Sequence, residues 1–229
     1  MTGQRKYGQA CPVAHALDLV GDRWALLVVR ELRLGPRRFG DLATALPGIA
    51  PSVLTQRLGE LVEVGVLERL TLSSRTGAVG YGLTAWGADL EPVFMALARW
   101  GVRSPVVPLA GPISDDAVML GVRTFFPAAP QHTAEETVAA TGLSGDVLVE
   151  LTHERYLLRL ADGALESLAR LAPGEDVQYD ARVRTDGNTL RALLVGTLSA
   201  TAASVSGAVA TSGDLALGHR LVDSIARRS

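Results

Sequence analysis

Pro51-Ser-Val-Leu-Thr-Gln-Arg-Leu58, running on through Gly59, Glu60 and Leu61 to Val64, is the stretch on which the fold turns. Leu54, Leu58 and Leu61 recur at helical spacing, so one side of a rod that opens at Pro51 must face a core. Turning by about 100° per residue from Leu54, Thr55 falls at ~100°, Gly59 at ~140°, Ser52 at ~160°, Gln56 at ~200° and Arg57, on the flank, at ~300°. The outward face is therefore small and polar. Such a face suits a helix laid in the major groove of DNA, where Gln bonds adenine with two hydrogen bonds and Ser or Thr meets bases or phosphates.

Working backwards, Phe39 to Ala45 reads as a short helix with Phe39, Leu42 and Leu46 inward, closed by Pro47-Gly48. A longer one is expected from Asp22 or Arg23 to about Arg33, with Trp24, Leu27, Val28 and Leu32 as its apolar stripe and Gly35-Pro36 as its stop. Pro12 to Val20 is a first helix, with proline in the opening turn and Gly21 at the end. Working forwards, Val66-Leu-Glu-Arg-Leu-Thr-Leu72, the turn-rich Ser73 to Gly77 and Val79-Gly-Tyr-Gly-Leu83 form a β-hairpin. Three helices and a hairpin make the winged helix-turn-helix plan. Arg37 and Arg38, ahead of the third helix, and Arg75, in the hairpin turn, are the expected phosphate contacts, with Arg57 a further DNA-binding candidate. Leu90, Phe94, Leu97 and Trp100 then recur at helical spacing with nothing nearby to cover them, and predict a dimerisation helix.

The proline-rich stretch Ser104 to Pro112 separates domains at 1–104 and 112–229. Beyond it, Met119, Val122, Phe125 and Phe126 suggest an apolar helix face. Val147 to Leu151, Tyr156 to Leu160 and Val177 to Val183 alternate with period two, and Asp162-Gly163 is a hairpin turn. Asn188 to Val195 reads as a helix, Ser204 to Thr211 as extended, and Asp214 as the cap of a last helix through Leu217, Leu221 and Ile225. The fold class is thus α+β: a winged helix-turn-helix, then an antiparallel sheet packed with helices.

The chain has 229 residues, 48% hydrophobic and 20% charged, which suits a folded soluble protein of two domains. No apolar run reaches the ~18 residues of a membrane span and Met1 to Ala10 lacks the apolar core of a signal peptide, so a cytoplasmic protein is expected. Net charge is −2, but residues 1–104 hold 12 Arg and Lys against 9 Asp and Glu, whereas 105–229 hold 10 against 15. The basic excess sits on the half that carries the helix-turn-helix.

A single cysteine, Cys11, rules out an intrachain disulfide and a thiolate-rich zinc site. At the start of the first helix, near Arg5 and Lys6, its thiol is placed for a lowered pKa and for redox sensing, although lone cysteines are commonly inert small hydrophobes. His15, His132, His153 and His219 lack partners at metal-ligand spacing, and no metal or cofactor is expected. His153-Glu154 lies beside a strand turn, a poor seat for an acid-base pair, and no nucleophile elbow, phosphate loop or carboxylate pair stands out. No catalytic residue is expected.

The segments Cys11-Pro-Val13, Ala16-Leu-Asp-Leu-Val-Gly-Asp-Arg-Trp24, Leu27 to Leu32, Gly35-Pro-Arg-Arg-Phe39, Leu46-Pro-Gly-Ile49, Ser52 to Leu61 and Leu83-Thr84 together resemble the HxlR-type winged-helix regulators over roughly residues 8–101. The resemblance implies a dimeric bacterial transcription factor, a repressor, with a recognition helix in the major groove, a wing over adjacent phosphates and, in some relatives, a sensing cysteine at the place of Cys11. Ala78-Val-Gly-Tyr81 departs from the Pro- and Glu-richer wing usual there.

Gly174-Glu-Asp-Val177 through Gly196, with Gly207, Gly213-Asp214 and the last helix, is similar to the sterol-carrier-protein fold over about 110–229. That similarity implies an apolar tunnel and an apolar small-molecule effector, with Met119, Phe125, Phe126, Leu193, Leu194 and Leu198 as pocket residues. The same residues would equally fill an ordinary core. The expected partners are double-stranded DNA and a second copy of the chain, with no membrane. The alternative is a lipid- or metabolite-binding protein or enzyme that keeps the winged helix only as a dimerising scaffold.

Overall fold

The structure, a computed structural model, describes residues 6–73, 77–105, 111–126 and 143–226. The chain divides into two compact units, Met1–Leu97 and Ala98–Ser229. The division falls inside a helix rather than in the expected stretch Ser104 to Pro112. Contacts of the helix end account for this: Arg99 donates from Nη2 to the Thr124 carbonyl at 3.1 Å, within the second unit.

In the first unit, α1 (Pro12–Val20) has proline in its first turn and ends where Gly21 N–H bonds the Leu17 carbonyl. A Cβ at Gly21 would strike that same carbonyl, so glycine is required there. The next helix, α2 (Ala25–Glu31), is shorter than expected at both ends. Trp24 stands outside it as N-cap with φ of 82°, a left-handed conformation that interrupts helical bonding. The Arg23 guanidinium lies 5.1 Å from its ring centroid. After Leu32 the chain turns towards Gly35, so Arg33 is not helical.

Next come α3 (Phe39–Ala45), whose Asp41 carboxylate accepts from Arg38 N–H at 3.1 Å, and α4 (Pro51–Glu63), opened by Pro51. Strands β1 (Leu67–Ser73) and β2 (Ala78–Leu83) pair antiparallel as the wing. Then α5 (Ala85–Ala88), not foreseen, is capped by Thr84, whose hydroxyl accepts from Gly87 N–H at 3.0 Å. Helix α6 (Glu91–Gly101) follows. Ala25, Val28, Val29, Leu42, Leu54 and Leu58 are wholly buried and form the core. Each buried leucine contributes about 1.5–3 kcal/mol of transfer free energy.

The second unit opens with α7 (Asp115–Phe125), capped by the Ser114 hydroxyl, which accepts from Ala117 N–H at 3.1 Å. Its sheet contains β3 (Gly145–Glu150), β4 (Arg155–Ala161), β5 (Ala164–Arg170), β6 (Ala181–Arg184) and β7 (Ala210–Gly213) in the order β5-β4-β3-β6-β7. The sheet is mixed, not antiparallel throughout: β6 lies parallel to β3, with Val149 opposite Val183, because the β5–β6 connection carries the chain past two strands. Only Ala181 to Arg184 of the strand expected from Val177 pairs.

Helices α8 (Gly187–Leu194), α9 (Ala200–Val205) and α10 (Leu215–Ala226) complete the unit. The expected extended segment Ser204 to Thr211 is instead the end of α9, a turn and the start of β7. Ser199 caps this helix by accepting from Ala202 N–H at 3.1 Å, and three of its six residues are alanine, the strongest helix former. Deep in the unit, Tyr156 donates its hydroxyl to Asp116 Oδ1 at 2.7 Å while Arg170 Nη1 pairs with Asp116 Oδ2 at 2.5 Å. Burial, then the Asp116 charge, pushes the Tyr156 hydroxyl pKa far up, so it stays a neutral donor.

Between sheet and helices lies an apolar cavity of about 10 Å³ touched by Met119, Val149, Leu158, Leu193 and Leu221. That is space for about one water molecule. Of the expected pocket residues, Met119 and Leu193 line it; Phe126 is buried elsewhere, and Phe125, Leu194 and Leu198 are half-buried. Among the described residues, the expected pocket residues thus do not gather around one space: two line this cavity and four lie away from it.

Candidate nucleic-acid interface

Helix α4 has two opposite faces. Leu54, Leu58 and Leu61 are buried, and Ser52, Thr55 and Gln56 are exposed along one outward row, as the spacing predicts. Thr55 donates its hydroxyl to the Pro51 carbonyl at 2.9 Å, and Gln56 donates from Nε2 to Glu60 Oε1 at 2.9 Å. Both side chains are therefore oriented by their own helix. Arg38 is exposed at the start of α3.

Two of the expected DNA contacts sit elsewhere. Arg37 is 9% exposed and its backbone exchanges two hydrogen bonds with Tyr81, at 3.0 and 2.9 Å, which makes it an interior link between α3's approach and the wing. Arg57, with its side chain 11% exposed, is held by the carboxylates of Asp22 and Glu60 and faces the α1–α2 turn instead of open solvent. Arg75 lies outside the described residues. Arg69, exposed on β1 with its guanidinium 6.0 Å from the Tyr81 ring centroid, is a wing cation the sequence reading did not single out. Its place in an alternating strand was the available signal.

The dimerisation stripe also divides. Phe94 is 9% exposed and Leu90, just ahead of α6, half-buried, so both belong to the packed side of the first unit; Leu97 at 48% and Trp100 at 72% stay exposed, joined by Val93 at 45%. The apolar arc is too broad for one contact, and its two edges serve different purposes.

Cys11 is exposed at the start of α1, and the backbone N–H groups of Ala14 and then Val13 lower its thiol pKa. Among the described residues no three His, Cys, Asp or Glu side chains converge as metal ligands, and no helix is long and apolar enough to cross a membrane. The His153 backbone N–H donates to Asp115 Oδ2, the His219 ring pairs with the Thr211 hydroxyl, and His132 lies outside the described residues.

A helical core with a polar rod in front and a two-stranded wing beside it defines a winged helix-turn-helix, a DNA-binding class of transcriptional regulator. The pattern of the HxlR-like helix-turn-helix family matches residues 19–105. An HTH-type transcriptional regulator of Synechocystis, sll1512, is 40% identical over 94 residues, 41% of this chain and 70% of that protein. Another, Rv3095 of Mycobacterium tuberculosis, is 47% identical over 89 residues, 39% of this chain and 56% of its own. The structure of the reduced form of YodB from B. subtilis is 32% identical, covering 43% of this chain and 97% of that one with a TM-score of 0.39. The chain belongs, through its first hundred or so residues, to the HxlR-like helix-turn-helix family.

Proposed function

We propose that the protein acts in the cytoplasm as a homodimeric repressor of a near-palindromic operator, residues 1–104 binding DNA and dimerising, and residues 112–229 receiving an effector. The observation that carries this reading is the row Ser52, Thr55 and Gln56, exposed together on a rod whose opposite side is locked into the core. Two such rods related by a two-fold axis meet half-sites one or two helical turns apart, about 34 Å per turn. Arg38 and Arg69, with Arg75, supply phosphate contacts that fix register. Leu97, Trp100 and Val93 supply apolar surface for the second copy.

The test is binding to duplexes spanning the gene's own upstream region, measured against salt. Sequence-selective binding that weakens steeply with salt supports the regulator. No binding at any salt, together with turnover or tight capture of a metabolite, replaces it by the carrier or enzyme alternative.

An apolar small molecule is the proposed effector, supported by the interior cavity of the second unit, which apart from Thr185 is lined by apolar side chains, and by the resemblance of its sequence to sterol-carrier proteins. It regulates by binding the DNA-competent and incompetent states unequally. Native mass spectrometry of protein isolated from its own cells identifies a retained molecule directly. The thiol of Cys11 is a second proposed input, favoured by its exposure and lowered pKa. An oxidant then alters operator binding in the parent but not in Cys11→Ser; an equal response in both discards it.

A further inference from the structure

On the rim of the outward row of α4 lies an ordered chain of charges and dipoles. Asp22, in the turn after α1, pairs with Arg57 Nη1; the same Nη1 lies 2.5 Å from Glu60 Oε2; and Glu60 Oε1 accepts from Gln56 Nε2 at 2.9 Å. The middle of the chain is the most buried: the Arg57 side chain is 11% exposed, against 49% for Asp22 and 29% for Glu60. Gln56, at the end, is exposed.

The chemistry of this chain sets a direction. A glutamine amide is nearly symmetric in shape, so alone it turns over readily and offers its oxygen or its nitrogen to the same point. A carboxylate accepts hydrogen bonds and donates none, so Glu60 tolerates only the amide nitrogen. Arg57 holds the carboxylate in place, and Asp22 holds Arg57. Gln56 is left with its oxygen and its second N–H free, a fork of one acceptor and one donor in a fixed order. Adenine offers the complementary pair, the N6 amino donor beside the N7 acceptor.

We infer that Glu60 is a specificity-determining positioning residue: clamped by Arg57, it fixes which way round the Gln56 amide faces a base and so selects adenine at that step. This deepens the proposed operator reading by α4 and rests on it. Arg57 belongs to the same device as the clamp, not as a phosphate contact.

The experiment uses the full-length protein and the duplex it recovers from a randomised pool, with every base pair substituted in turn. Gln56→Ala locates the step read by Gln56. Glu60→Ala lowers the preference for A·T at that step by about five- to tenfold, with the salt slope unchanged and the thermal midpoint lowered no more than in Arg57→Gln. Glu60→Gln, equal in size but able to donate as well as accept, relaxes the preference in the same way. In the Gln56→Ala background neither change has any further effect at that step.

Undiminished A·T preference in Glu60→Ala, at a step that Gln56→Ala abolishes, overturns the inference and leaves the operator reading standing. A uniform loss of affinity on all duplexes, with a thermal midpoint lowered beyond that of Arg57→Gln, overturns it likewise by making Glu60 a stability residue only. Recovery of no duplex at any salt overturns the operator reading and the inference together.

Discussion

The carboxylate of Asp22 holds the guanidinium of Arg57, 35 residues further along, so the turn after α1 is tied to α4, the helix proposed to read DNA. The pair adds a lateral tie to a helix whose rotation is set by the buried Leu54, Leu58 and Leu61. Arg57→Gln is expected to lower stability by about 1 kcal/mol in urea unfolding, the scale of a partly exposed ion pair. The salt slope of operator binding is expected to stay the same. Arg38→Ala is expected to behave in the opposite manner, with an unaltered urea midpoint and a salt slope reduced by about one. A reduced slope in Arg57→Gln contradicts the assignment.

The two faces of α4 predict separable defects. Leu58→Ala removes a side chain with no solvent exposure and is expected to destabilise the protein by about 2–5 kcal/mol, read by chemical denaturation. Ser52→Ala is expected to leave the unfolding midpoint alone while weakening operator binding by roughly three- to tenfold, read by fluorescence anisotropy.

Helix α6 predicts the same kind of split for assembly. Replacing both Leu97 and Trp100 by alanine is expected to weaken the dimer by roughly thirtyfold or more in analytical ultracentrifugation, with the monomer still folded. Phe94→Ala, which empties a buried position, is expected to cost about 3–5 kcal/mol of stability instead. A double variant that sediments as the parent does removes this face from the interface.

Acid is expected to weaken the second unit. The Arg159 hydrogen bond lowers the carboxyl pKa of Asp146, and at Glu150 the opposing effect of burial is outweighed by hydrogen bonds from Arg182 and Arg184. Both folded values are depressed, so below the ordinary carboxylate range the unfolded chain binds more protons than the folded one. The contribution is complete above about pH 4–5 and is lost as pH falls through the lowered values. Urea titrations from pH 7 down to 2 show this as a falling midpoint, and the fall is shallower in Arg182→Gln.

Helices α1, α3 and α4 were legible in the sequence because Pro12 and Gly21, Phe39 and Pro47, and Pro51 punctuate them chemically. The polar row of α4 was legible from periodicity alone. Periodicity shows which residues share a face, not what covers it, so Phe94 and Trp100 looked alike although one is buried and the other bare. Arg57 looked free because Asp22 is remote in sequence. The parallel pairing of β3 with β6 is a non-local choice that no alternation records. In α9, Val205 and the turn after it masked a helix that Ser199 starts.

The small cavity between sheet and helices in the second unit has a kinetic corollary. A space of about 10 Å³ between Met119, Leu193 and Leu221 admits no hydrocarbon guest without parting helix from sheet. Uptake of such a guest is then limited by how often the unit opens, so its observed rate levels off as guest concentration rises, and the occupied form departs slowly.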